Sequence, residues 1–237
     1  MSRTRRGASA PGRAAQGAGR ARGGGARGAA ARGRFVVLEG LDGAGTTTQA
    51  HLLGKALREE GRRVLVTAEP SGGPAGALIR QVLTRRVGGA GGDGFDPAAL
   101  ALLFAADRRD HVAAEIAPKL RAGVDVVSDR FTLSSLAYQG LTTGDLAWVD
   151  RLNARAAVPD LILFLRVRPA VAFRRRRAAT LDREIFEEGA FQRRVAGAYD
   201  RAIAHLLGGG QRVVELDGER PVEDVGAAVR AEVARIR

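Results

Sequence analysis

The sequence predicts an α/β fold, a parallel sheet covered by helices, and three observations lead there. Short apolar runs rich in Val, Leu and Ile occur at 35–39, 63–67, 124–128, 160–166 and 211–216. They are continuous rather than alternating, as strands buried on both faces require. Helical patterns separate them, at about 47–60, 74–86, 97–122, 144–156, 169–178, 187–207 and 221–236, and strand–helix alternation specifies a parallel sheet. The chain has 237 residues, 45% of them apolar, which suits one domain with a full core.

The first element is a tail. Residues 1–33 are mostly Gly, Ala and Arg, with no large apolar residue between Met1 and Phe35. Such a segment buries too little surface to offset its ordering entropy and is expected to be disordered. The chain carries +12, but nine arginines and no acid fall within residues 1–34, leaving about +3 for the remainder. The basic character therefore belongs to the tail, where contact with nucleic acid is open but not favoured over a plain extension. An organelle transit role fits poorly, because the segment is Gly-rich, Ser-poor and without an amphipathic face. The sequence lacks any apolar run near 18 residues, so no membrane span is expected, and no secretory signal is visible. Cysteine is absent, which excludes disulfides and thiolate chemistry and suits a cytoplasmic setting.

Residues 34–49 read R-F-V-V-L-E-G-L-D-G-A-G-T-T-T-Q. An apolar strand, a glycine-rich turn and a helix start follow one another, as a phosphate-binding loop requires. Gly40, Gly43 and Gly45 let backbone amides converge on phosphate oxygens at the positive end of a helix. Thr47 stands where a hydroxyl ligates Mg²⁺. Asp42 lies inside the loop and must point away from phosphate, toward the metal or a second substrate. The lysine expected after Gly45 is replaced by Thr46, which offers a hydroxyl but no charge. Phosphoryl transfer concentrates negative charge that cations must meet. Lys55 and Lys119 are the only lysines in the chain, and Lys55 is more than two helical turns beyond the loop, so a compensating cation must be an arginine.

Further along, Phe104 and Arg108 in L-L-F-A-A-D-R are i and i+4 and share a helix face. The pair suits stacking on a base and bonding its edge; core packing of Phe104 with Arg108 at the surface is the plainer alternative. In V-V-S-D-R-F-T-L-S-S-L-A-Y-Q-G, Asp129 ends an apolar strand, where open parallel sheets bind ligands and where an acid meets Mg²⁺. Arg130 beside it can hold a phosphate; a strand-end ion pair is the alternative. The run F-R-R-R-R at 173–177 is either a cationic lid or a solvated basic face. Gly208–Gly210 follows a helical pattern as a stop signal.

The strings F-V-V-L-E-G-L-D-G-A-G-T-T-T, T-A-E-P-S-G-G-P, A-L-L-F-A-A-D-R-R-D-H, S-D-R-F-T-L-S-S-L-A-Y-Q-G and P-D-L-I-L-F-L-R-V together resemble bacterial thymidylate kinases, P-loop NTPases of the nucleoside monophosphate kinase class. The resemblance spans nearly all of 35–236 and implies a five-stranded parallel sheet flanked by helices on both faces, with a lid at about 174–186. It implies Mg²⁺ and ATP as donor, dTMP as acceptor, and a homodimer. It assigns Gly40, Leu41, Asp42, Gly43, Ala44, Gly45, Thr46, Thr47 and Thr48 to ATP, and Thr47 and Asp129 to the metal. Phe104 is implied to stack on thymine, with Arg108, Ser135 and Gln139 on its edge. Tyr138 is implied to pack at the sugar, Asp42 to touch the sugar hydroxyl or metal shell, and Arg130 and Arg80 to hold the acceptor phosphate with Glu69 nearby. The family supplies its transfer-site arginine from the phosphate loop or from the lid; Gly43-Ala44 here resembles the lid arrangement. The catalytic set so implied is Arg130 with lid arginines Arg176, Arg177 and Arg183.

Three positions depart from the family pattern: Thr46 for lysine, Ala68 for arginine before Glu-Pro, and Arg166 for an acid after the fourth strand. They leave two other readings open, a nucleotide-binding relative with weak or no kinase activity and a kinase for another nucleoside monophosphate.

Overall fold

The computed structural model describes residues 32–88, 94–179 and 185–236, with side chains 177–188 outside that description. The expected tail thus lies outside the described residues up to Ala31. The body begins at Arg32, which forms an ion pair with Asp160 at 2.9 Å, and at Gly33, whose N–H donates to the Leu120 carbonyl.

Five strands form the sheet: β1 (Phe35–Gly40), β2 (Val64–Ala68), β3 (Asp125–Asp129), β4 (Leu161–Arg166) and β5 (Val213–Asp217). Their order is β2-β3-β1-β4-β5 and every pairing is parallel. Every residue of β1 is buried, in keeping with its central place and its unbroken apolar run. Each observed strand lies within one or two residues of its expected span.

The helices are α1 (Thr46–Glu59), α2 (Pro74–Leu83), α3 (Pro97–His111), α4 (Ala117–Arg121), α5 (Thr132–Thr143), α6 (Leu146–Asn153), α7 (Pro169–Ala179), α8 (Ile185–Gly208) and α9 (Val222–Ala234). The single helix expected at 97–122 is instead α3, a π-helical turn at Val112–Ile116, and α4. Pro118 has no N–H to give to the preceding turn, and a wider turn ahead of it accommodates that loss. No helix was expected over 132–143, yet α5 is there, with Leu133, Leu136 and Ala137 buried. The helix expected at 144–156 is shorter: Asp145 caps α6 by accepting from Trp148 N–H at 2.8 Å. Gly210, just past α8, has φ 79, so the glycine stop holds. Among the described residues no helix is long and apolar enough to cross a membrane.

Register sets the site. Leu38 of β1 pairs with Asp129 of β3, and Gly40 pairs with Leu165 of β4. The carboxyl ends of three neighbouring strands therefore converge on one edge of the sheet, the edge where α/β sheets hold ligands.

Candidate active site

The phosphate loop is the turn between β1 and α1. Gly43 and Gly45 have φ 91 and 93, a region costly for any residue with a Cβ. No side chain caps α1, so its first N–H groups remain directed at the loop's cradle. A Cβ on Gly43 would lie 2.3 Å from the Ala172 carbonyl oxygen in α7, which leaves no room for an arginine inside the loop at that position. The Thr46 side chain is buried and near Gly40. Thr47 and Thr48 are exposed to the cradle. The Thr47 hydroxyl donates to Asp129 Oδ2, while Asp129 Oδ1 is buried without a partner. A hydroxyl and a carboxylate oxygen still seeking a ligand form a donor set that fits Mg²⁺, which takes few protein ligands and completes its shell with phosphate and water.

Two cavities open on this edge. One, of about 430 Å³, runs along Gly43, Ala44, Gly45 and Thr48 to Gly218, Arg220 and Val222 of the β5–α9 connection, with Arg175 and Arg176 over it. Arg175 Nη1 donates to the Gly218 carbonyl at 2.7 Å, tying α7 to that connection. Arg176 Nη1 stands 3.9 Å from Asp42 Oδ2. The sequence reading missed 218–222, although the strand-end rule points there as soon as β5 is placed in the sheet. Arg177 and Arg183 lie outside the described side chains. Lys55 is turned away, 3.8 Å from Glu59 on the exposed face of α1.

The second cavity, of about 320 Å³, is walled by Asp42, Glu69, Phe104, Arg108, Arg130, Ser134, Ser135, Tyr138 and Gln139 among others. Phe104 is half-buried and faces this space, whereas Arg108 is 1% exposed. This is the reverse of a core phenylalanine with a surface arginine. Arg108 forms an ion pair with Glu69 at 2.6 Å. Its Nη atoms donate to Ser135 Oγ at 3.1 Å, to the Phe131 carbonyl at 3.0 Å and to Asn153 Oδ1. Asn153 and Ser134 were not singled out from sequence. The ion pair settles why a charged residue is tolerated there, since a buried charge requires a partner.

Arg80 lies outside that wall. It is exposed, and its Nη1 donates to the Pro70 and Ser71 carbonyls at 3.0 and 2.6 Å. With Asp107, which accepts from Ser71 N–H and Oγ at 2.7 and 2.6 Å, it fixes the turn that carries Glu69. Beyond Glu69, burial lowers the His111 pKa, but its bond to Glu69 and the charges of Glu69, Glu115 and Asp107 outweigh this and raise it.

Asp42 accepts from Arg130 Nη2 at 2.6 Å, so the loop acid does point to the second cavity. Glu39, fully buried one residue before the loop, accepts from Phe131 N–H at 2.9 Å and Ser134 N–H at 3.1 Å. A carboxylate from β1 thus caps α5 from outside its own chain segment. Burial pushes Glu39 up to about 7, against the opposing pull of Arg130 and of its hydrogen bonds from Ser134 and Phe131. Burial likewise pushes the Tyr138 phenol up to about 12, so it stays neutral. Arg166 bonds Asp200 at 2.6 Å and Glu215 and lies 4.8 Å over the Phe164 ring, an edge cluster apart from both cavities' walls.

Comparison with known proteins agrees with this arrangement. The family model described as thymidylate kinase matches residues 38–229. A thymidylate kinase of Dinoroseobacter shibae is 40% identical over 205 residues, covering 84% of this chain and 95% of its own length. One of Thermomicrobium roseum is 41% identical, covering 85% and 95%. A probable thymidylate kinase of Thermococcus gammatolerans is 43% identical over 169 residues, covering 70% and 81%. The loop, the paired cavities and these matches lead to one conclusion: the chain belongs to the thymidylate kinase family.

Proposed function

We propose that the chain transfers the γ-phosphoryl group of ATP to dTMP, giving ADP and dTDP. The observation that carries this reading is the placement of the Phe104–Arg108–Ser135–Gln139 cavity against Asp42, so that an acceptor seated there faces the phosphate loop across one residue. A phosphate oxygen of dTMP attacks the γ-phosphorus in line, the bond from that phosphorus to the β–γ bridging oxygen breaks, and ADP leaves. The acceptor is already an anion, so no covalent enzyme intermediate is required. The protein contributes position and charge.

In this reading the amides of 43–48 hold the donor phosphates, and the cavity reaching Gly218 and Val222 takes the adenine end. Phe104 stacks on thymine, while Arg108, Ser135 and Gln139 face its edge. Tyr138 lies at the sugar and Arg130 at the acceptor phosphate, with Arg80 acting from behind through the Glu69 turn. Thr47 and Asp129 hold Mg²⁺, which when bound neutralises charge on the transferring phosphate. Arg176, near Asp42 and over the loop, provides the charge that Thr46 lacks; Arg177 and Arg183 are further lid candidates. A homodimer and a cytoplasmic location belong to the same proposal, and nucleic-acid contact through the basic tail is open but not favoured.

The test is a coupled ADP assay on purified protein with Mg²⁺, ATP and a panel of nucleoside monophosphates. Preference for dTMP, with activity lost in Thr47→Ala, is the expected result. Turnover no higher than in Thr47→Ala, with nucleotide binding intact, overturns the kinase reading, and preference for another acceptor overturns the base assignment.

A further inference from the structure

Arg130 has φ 70, a left-handed backbone in which a residue carrying a Cβ is strained. Strain of this kind persists where the surroundings over-determine it. Here the backbone is held from three sides. Arg130 N–H donates to the Leu38 carbonyl at 2.8 Å, its own carbonyl accepts from Ser128 Oγ at 2.7 Å, and the next N–H is taken by Glu39.

The side chain is fixed just as closely. Arg130 Nη1 donates to Ser134 Oγ at 3.0 Å and to Tyr199 Oη at 3.1 Å. Each hydroxyl then donates onward, Ser134 to Glu39 Oε2 and Tyr199 to the Gly40 carbonyl at 3.0 Å. The two hydroxyls also lie 3.0 Å from each other, and both oxygens face the guanidinium. Tyr199 is wholly buried on α8, its ring at 4.9 Å from Phe164 and 6.0 Å from Tyr138. It lines neither cavity itself but stands behind Arg130, Ser134 and Tyr138 of the second cavity's wall, and the phosphoryl-transfer reading gives it no part.

We infer that Ser134 and Tyr199 are positioning residues for Arg130, fixing which edge of its guanidinium faces the acceptor. With Nη1 held by the two hydroxyls, Nη2 is the edge that donates to Asp42 Oδ1 at 2.6 Å, in the wall of the second cavity. Tyr199 also bonds Gly40, the first residue of the phosphate loop, so the acceptor cation and the donor loop are referenced to one rigid post. The inference rests on Arg130 being the acceptor-phosphate cation. Such preorganisation acts on binding of the phosphate rather than of the base.

The deciding experiment uses the full chain and compares dTMP with thymidine, which lacks the phosphate. Tyr199→Phe keeps the ring and removes the hydroxyl; Ser134→Ala is the second variant, decisive on its own if Tyr199→Phe fails to fold. The expected result for each is an affinity for dTMP weakened about tenfold, as for loss of a hydrogen bond to a charged group, with thymidine affinity and KM for ATP changed less than about twofold. In an Arg130→Ala background neither substitution weakens dTMP further. Equal losses for dTMP and thymidine, or full additivity with Arg130→Ala, overturn the positioning role while leaving Arg130 in place. An Arg130→Ala protein that binds dTMP normally overturns the reading of Arg130 itself.

Discussion

The Thr47 hydroxyl donates to one oxygen of Asp129 and leaves the other buried without a partner. This pairing joins the start of α1 to the end of β3, 82 residues apart. If the two hold Mg²⁺ together, removing either should lower kcat about 100-fold, or about 2.7 kcal/mol of transition-state stabilisation. Thr47→Ala should recover partly at raised Mg²⁺, since the carboxylate remains, whereas Asp129→Ala should not. Steady-state rates over a Mg²⁺ titration check this; a metal dependence unchanged in both variants counts against the assignment.

Thr46 and Arg176 make a second test. Arg176→Ala should lower kcat at least about tenfold, as expected for loss of a cation at the transferring phosphate. Thr46→Lys should change kcat by less than about threefold if Arg176 supplies the charge from α7, as proposed. Rates at saturating ATP and dTMP decide the matter. An Arg176→Ala enzyme within twofold of the parent sinks the idea that this residue stands in for the lysine.

Glu39 gives a pH signature. Its value of about 7 in the fold exceeds the ordinary 4.5, so the protonated form favours folding. The stability it contributes is complete below about pH 4.5 and is lost as pH rises through about 7, on the order of 3 kcal/mol in total. Glu39→Gln keeps an acceptor for the α5 amides and cannot ionise, so its stability should fall less between pH 5 and 8. His111, also raised, acts in the same direction in both proteins and cancels in the difference. Urea unfolding of nucleotide-free protein across this range is the measurement, and identical slopes refute the prediction.

Arg166 stands where the resemblance leads one to expect an acid, and it sits among Asp200, Glu215 and the Phe164 ring. Partly exposed pairs of this kind contribute little. Arg166→Ala should leave kcat/KM within about twofold and lower stability by about 0.5–1 kcal/mol. Thermal melts alongside the ADP assay test both halves; a tenfold loss of activity would place Arg166 in the chemistry.

The strands were legible because Val, Leu and Ile run unbroken wherever the sheet is covered on both faces. The phosphate loop was legible because its glycines are demanded by backbone geometry. Helix α5 was not. It opens on Thr132, Leu133, Ser134 and Ser135, three of them weak helix formers, and Phe131 ahead of it offers no capping side chain. Its cap is Glu39, 95 residues away in sequence from Ser134, and its apolar side packs into the core. The Gly218–Val222 wall of the donor cavity was missed for a related reason. Gly218, Arg220 and Val222 match no motif, and only the placement of β5 brings them to the loop. Phe104 and Arg108 were ambiguous in sequence because helical spacing shows that two residues share a face, not which way that face turns; the Glu69 ion pair decides it.

The contact between Gly43 and Ala172 has a mechanical consequence. A Cβ on the glycine would come within 2.3 Å of the Ala172 oxygen, so main chain packs on main chain where the root of α7 meets the phosphate loop. Arg176 lies four residues further on, about 6 Å along the helix axis, so the seat of α7 on Gly43 also sets where that side chain leaves the helix over the loop.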